Sequence, residues 1–162
     1  MYAVDGRDTV IQLDGIPQSD VGAPCPVVFS DESATIVAYL MRDAVSSDAD
    51  DIAFVRFHQC YATMFGRPND EAISGHPLAS RGLEPYGAYR VENSSWIRQL
   101  ERMNSVHPHH RPERFDALTH FILTFHDSTF ECVAESFTVT VVVGPLQYLL
   151  QEIDRLRHQQ PN

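Results

Sequence analysis

Between residues 118 and 143 apolar and polar side chains alternate with a period of two, and this stretch predicts two β-strands folded back on each other at 126–129. Phe121, Leu123 and Phe125 alternate with His120, Ile122, Thr124 and His126. Past the bend, Phe130, Cys132 and Ala134 alternate with Thr129, Glu131, Val133 and Glu135. Asp127 and Ser128 suit a tight turn, because each side chain can bond the local backbone. A symmetric loop sets Phe125 opposite Phe130, Leu123 opposite Cys132 and Phe121 opposite Ala134, which gathers the six on one apolar face. The other face then carries His120 opposite Glu135 and Thr124 opposite Glu131, with His126 diagonal to Glu131. The assignment is conditional on register, since a slip by one residue exchanges the two faces.

The same reading assigns the rest of the chain. Residues 1–26 form a turn-rich N-terminal segment in which 9–13, between Asp5–Gly6 and Asp14–Gly15, make a short edge strand. Residues 27–29 and 35–41 pair as a second hairpin, 44–51 connect, and 52–65 predict one strand with both faces partly covered. Residues 67–93 lack periodicity and predict a long ordered loop packed on the sheet through Leu83, Tyr86 and Tyr89. Asn93 is the expected N-cap of a helix to Val106, with Trp96, Ile97, Leu100, Met103 and Val106 on one face. Pro108 lies just past that helix, and 113–118 add a helical turn. Pro145 opens a C-terminal helix, 145–158, striped by Leu146, Leu149, Leu150, Ile153 and Leu156. The expected fold is one α+β domain over 1–162, mainly antiparallel β-sheet covered by two amphipathic helices.

Composition narrows the function. With 162 residues, 43% of them hydrophobic, the chain can bury a core. Its net charge of −10 disfavours nucleic acid and anionic membranes as partners. No apolar run is long enough to span a bilayer, and residues 1–13 carry charges where a signal peptide needs an apolar centre. Three cysteines without CxxC spacing suggest reduced thiols and a cytoplasmic location, with a bridge between Cys60 and Cys132 left open. All 12 basic residues are arginine. Without lysine the chain cannot form a Schiff base, attach pyridoxal or build a P-loop.

The chemistry-bearing candidates are His120, His126, Glu131 and Glu135 on the polar face of the hairpin, with His58 from a neighbouring strand. Imidazole beside carboxylate can work as an acid–base pair or ligate zinc, iron or manganese, although no HExxH or paired CxxC spacing supports a metal, and the cofactor stays unassigned. The competing reading makes these residues hydrogen-bonded or solvated members of a polar sheet face. His107, His109 and His110 read as a surface loop, Cys60 as an inert thiol on an apolar strand, and His76 as part of a plain turn. His126-Asp127-Ser128 contains the residue types of a serine triad, but three consecutive residues cannot adopt its geometry.

The runs FHQCYATMFGRPNDEAISGHPL, ENSSWIRQLERMNSVHP and HFILTFHDSTFECVAESF, spread over roughly 54–140, resemble a family of small bacterial proteins to which no activity is assigned. The resemblance implies a bacterial source and transfers no site residue. Two functional expectations follow. One is a binding or interaction module that recognises a protein or a small ligand through 67–93 and the sheet. The other is an enzyme using the His/Glu face for acid–base or metal-assisted chemistry. A homodimer would be formed by pairing of the apolar run 139–143 at a sheet edge.

Overall fold

The computed structural model describes residues 2–32, 34–42, 51–144 and 149–158. Among the described residues, nine strands form two antiparallel sheets. The first has five strands in the order β1-β6-β7-β8-β5 (Thr9–Gln12, Ala88–Glu92, Thr119–Thr124, Thr129–Ala134, Ala62–Gly66). The second has four, β2-β3-β4-β9 (Val27–Ser30, Thr35–Leu40, Asp51–His58, Ser136–Val143). The sheets pack face to face. Val37, Tyr39, Val55 and Phe57 of the second interdigitate with Phe121, Leu123, Phe130 and Cys132 of the first in one buried cluster. Rings of Phe57 and Phe130 lie 5.4 Å apart between centroids, close enough for a tilted aromatic contact.

The central hairpin forms with the expected faces and a displaced register. Phe121 lies opposite Cys132 and Leu123 opposite Phe130, two residues from the predicted pairing. The bend closes one residue earlier, where Phe125 N–H donates to the Ser128 carbonyl at 2.8 Å. A shift of two leaves each side chain on its face, so the apolar set still enters the intersheet core. It does move the partners: His120 faces Val133 instead of Glu135, and Ile122 faces Glu131.

Three other expectations change. The predicted strand 52–65 is two strands in different sheets, because Gln59 takes a left-handed conformation (φ 50°) and the chain crosses over after His58. The predicted loop 67–93 contains β6 and two 3-10 segments, Asp70–Gly75 and Ala79–Arg81. Asn93 also lies outside its predicted role: it has φ 52°, and Ser94 caps helix α1 (Ser95–Asn104) by accepting from Ile97 N–H at 3.3 Å. The helix stops before Val106, which is exposed, and Met103 within its last turn is exposed as well, so the apolar stripe is shorter than expected.

Two further clusters cover the outer faces. Tyr2, Leu78, Leu83 and Trp96 pack against Tyr89, Ile122 and Val133 of the first sheet. Leu149, Ile153 and Leu156 of the last helix (α3, Leu149–Arg157) pack against Ile36, Ala38 and Phe54 of the second. Leu150 of the predicted stripe is exposed, while Leu146 and residues 44–50 of the predicted connector 44–51 lie outside the described residues, and Asp51 begins β4. A four-residue helix, α2 (Glu113–Asp116), precedes β7. β9 occupies the edge of its sheet, where 139–143 were expected to lie. Among the described residues no helix is long and apolar enough to cross a membrane.

Candidate functional site

The five predicted site residues fall in separate places. Only His120 and Glu131 meet. His120 is fully buried on β7, Glu131 is buried on β8, and His120 Nε2 lies 2.9 Å from Glu131 Oε2. Two partners that the sequence reading passed over complete the cluster. Tyr2 donates its hydroxyl to Oε2 at 2.6 Å, and His76 Nε2 reaches Oε1 at 3.1 Å. His58 instead sits on the second sheet against Thr138 Oγ1 (3.0 Å), its pKa lowered by burial and by the Arg56 charge. Glu135 is exposed just past β8, where its backbone N–H donates to the His58 carbonyl (3.0 Å). His126 lies in the β7–β8 bend on a different set of partners. The common His/Glu face is therefore corrected: the sheet crossover removes His58, and the register displacement removes Glu135.

Local bonding fixes the proton positions in the Glu131 cluster. His76 Nδ1 accepts from Leu78 N–H at 3.1 Å, so its proton is on Nε2 and points at Glu131. His120 Nε2 faces the acceptor-only Glu131 carboxylate and so carries the ring proton, which leaves Nδ1 to accept from the Ser94 hydroxyl (3.0 Å). Burial drives the Glu131 carboxyl up, but donors from His120, His76 and Tyr2 outweigh it and hold the group at about 2. His120 is pushed down by burial, which exceeds the upward pull of Glu131, and Tyr2 is pushed up by burial and by the Glu131 charge. The result is one buried anion held by neutral donors.

That arrangement does not suit a metal. A ligating imidazole presents a bare nitrogen to the ion and donates its other N–H to an acceptor. Here the nitrogens that converge on Glu131 carry the protons, and those facing away are acceptors. Among the described residues no group of three or more His, Cys, Asp or Glu is arranged to hold an ion. The cluster is also sealed. Tyr2 stacks on Trp96 (5.4 Å, 7°), and the edge of His120 meets both rings. The N-terminal arm is held in place by Asp8, which accepts from Ser95 N–H (2.6 Å) and the Ser95 hydroxyl at the start of α1.

An open counterpart lies at the bend. Tyr86 Oη donates to Asp70 Oδ2, and His126 Nδ1 lies 3.1 Å from the same oxygen and 2.9 Å from Tyr86 Oη. Asp70 N–H also bonds the His126 carbonyl at 3.0 Å. The shared carboxylate takes both protons, so His126 carries its hydrogen on Nδ1 and has Nε2 free of partners among the described residues. Tyr86 is pushed up to about 12, first by its bond to Asp70, and Asp70 is lowered, first by Tyr86.

Tyr86 is also part of the wall of a cleft of about 260 Å³ between residues 12–19 and the ends of β3, β6 and β7. Leu13, Ile16, Tyr39 and Leu123 supply its apolar lining, and Gln18, Ser19 and Thr124 its polar groups. The shape depends on close backbone approaches. Leu13 N–H bonds the Ala88 carbonyl (2.8 Å), Tyr39 Oη bonds the Pro17 carbonyl (2.5 Å), and Gly87 N–H bonds Thr124 Oγ1 (2.9 Å). A side chain at Gly87 would collide with the Tyr89 ring. Ser19 is 4% exposed, and its Oγ has no hydrogen-bond partner among the described residues. Ser19 lay in a predicted loop with no motif around it, so nothing in the sequence marked it.

Comparison with family models, with curated proteins and with solved structures gives no match to this chain.

Proposed function

We propose that the protein is a binding domain for a small uncharged molecule bearing hydroxyl or amide groups, taken up in the cleft beside Tyr86. The observation that carries this reading is the Ser19 hydroxyl. It is covered within the cleft wall without a partner among the described residues, a condition that costs about 1–3 kcal/mol and that a ligand relieves only as the wall parts around it. The mixed lining fits such a ligand, with an apolar wall for its body and a few polar groups to orient it. Among the described residues the lining carries one carboxylate, Asp14, and no arginine or histidine, which disfavours an anion. The test is a screen of small polyols and amides by ¹⁵N–¹H shift perturbation. Shifts that concentrate at Ser19, Gly87 and Thr124 and disappear in Ser19→Ala support the reading; shifts scattered over the surface, or unchanged in that variant, refute it.

A second reading is an enzyme, favoured by one specific observation. His126 is oriented by Asp70 through Nδ1 and presents Nε2 outward, the geometry of a general base held by a carboxylate. It moves acid–base chemistry from the sealed Glu131 cluster to the rim of the cleft. Hydrolysis of an activated ester that is lost in both His126→Ala and Asp70→Asn would favour it over simple binding. Location in a reducing cytoplasm belongs to the same proposal and is compatible with three unpaired thiols.

A further inference from the structure

β9 forms one edge of the second sheet and shares no residue with the cleft. Its eight residues pair one to one with Asp51–His58 of β4 and include no charged side chain and no proline. Sheet edges are commonly protected from further pairing by shortness, by charge or by proline. Among the described residues the other edge strands are short, with four residues in β1 and β2 and five in β5. β9 has none of these protections. Its free backbone groups can be assigned. Met41 N–H donates to the Asp51 carbonyl, so the peptide groups of Asp51 point to the β3 side. Alternation along β4 then turns Ile52, Phe54, Arg56 and His58 towards β9, where they face Val142, Thr140, Thr138 and Ser136. The N–H and C=O groups of Phe137, Val139, Val141 and Val143 therefore point outward, and no described residue bonds them.

The side chains on this edge are incompletely covered too. Phe137 and Val139 pack on the intersheet core. Val141 and Val143 share their face by strand alternation, yet they are 44% and 55% exposed. Thr138, Thr140 and Val142 take the opposite face, where Val142 packs on the α3 cluster. An open ladder and two exposed valines thus occur on the same strand.

We propose that the free edge of β9 pairs antiparallel with β9 of a second copy of this chain, joining two four-stranded sheets into one continuous sheet. An antiparallel ladder between identical strands is two-fold symmetric and closes on itself. One register employs all four outward residues of both strands. It centres on Thr140, which faces its own copy, and it pairs Phe137 with Val143 and Val139 with Val141 of the second copy. Each exposed valine is thereby laid beside a side chain on the inner apolar face of the other copy. That match between backbone register and side-chain exposure singles out a second copy as the occupant. Charge points the same way. Each copy carries −10, so contact through a charged surface sets like against like, whereas β9 brings no charge to the contact.

Sedimentation of the full chain over a concentration series is the test. A monomer–dimer equilibrium is expected, and added salt tightens it, because salt screens the repulsion between two acidic copies and leaves an uncharged ladder intact. Val141→Glu, at an exposed position, is expected to weaken dimerisation by about tenfold or more, since it sets a carboxylate against Val139 of the second copy. Register is read by cross-linking in a Cys25→Ser background. Thr140→Cys lies about 4.5 Å from its copy between Cα atoms, the spacing of a non-hydrogen-bonded antiparallel pair, and is expected to give a disulfide-linked dimer on mild oxidation. Thr138→Cys faces Val142 of the second copy, which places its own copy about 13 Å away, and is expected to stay unlinked. A chain that sediments as a monomer at every concentration into the millimolar range overturns the proposal and leaves the edge to a strand of another protein. A dimer unaffected by Val141→Glu, or linked equally through positions 138 and 140, overturns it as well. The sedimentation result needs no variant, so it decides the question even where a substitution disturbs the fold.

Discussion

The Glu131 and Asp70 clusters are built from the same parts and behave in opposite ways. In each, one carboxylate accepts from a tyrosine hydroxyl and from histidine. Glu131 lies beneath Trp96 and Tyr2, whereas Asp70 holds a bend whose histidine side chain is 39% exposed. Burial makes the first cluster a matter of stability, because every polar atom there must be satisfied by a neighbour. Exposure makes the second cheap to perturb and leaves one imidazole nitrogen available to solvent. Residue types alone do not separate a structural cluster from a chemical one; depth and proton placement do.

Breaking the buried cluster is expected to have the largest effect. Glu131→Ala strands Tyr2, His76 and His120 donors in an apolar environment and is expected to cost about 3–5 kcal/mol, measured by urea unfolding. Asp70→Asn, which leaves the backbone bend in place, is expected to cost less than about 1 kcal/mol by the same method. Equal losses in the two variants would dissolve the contrast.

Acid sharpens it further. The folded pKa of Glu131 lies below its usual 4.5, and that of His120 lies below its usual 6.5. For a depressed group, stabilisation is complete above the unfolded value and is lost as pH falls towards the folded one. Stability is therefore expected to decline as pH drops below about 6.5 through His120, and more steeply from 4.5 towards about 2 through Glu131. Thermal unfolding across that range checks it. A curve flat from pH 7 to 5 would show that His120 is not held in the state described, and one that stays flat down to pH 2 would show the same of Glu131.

Smaller effects test how the buried cluster is positioned. Ser94→Ala removes the α1 cap and the donor to His120 together, and is expected to cost about 1–2 kcal/mol in denaturant unfolding. Tyr86→Phe is expected to change stability by a few tenths of a kcal/mol and to leave His126 oriented by Asp70, so that its ring resonances move without averaging.

The hairpin faces were legible because the large apolar rings and Leu123 recur at every second position, Phe121, Leu123 and Phe125, even though the opposite face is buried too, beneath Leu78, Leu83 and Trp96. The same rule misled at 52–65, where two strands of different sheets join through Gln59 and Cys60 without glycine or proline to mark the break. His120 and Glu131 were found from their shared face, but their partners were not. Tyr2, His76 and Ser94 come from an N-terminal arm, a turn and a helix cap, and no local pattern links positions 129 and 55 residues apart. The Asp70–Tyr86–His126 set was hidden for the same reason, with two of its members in a segment read as loop.

The most direct test is the proton position on two histidines, read from ¹⁵N shifts of the imidazole rings at neutral pH. His120 is expected as the neutral Nε2–H tautomer and His126 as Nδ1–H, each pointing its proton at its carboxylate. His120 found as Nδ1–H, or as an imidazolium, would contradict the sealed buried anion and return the Glu131 cluster to the list of possible metal or catalytic sites.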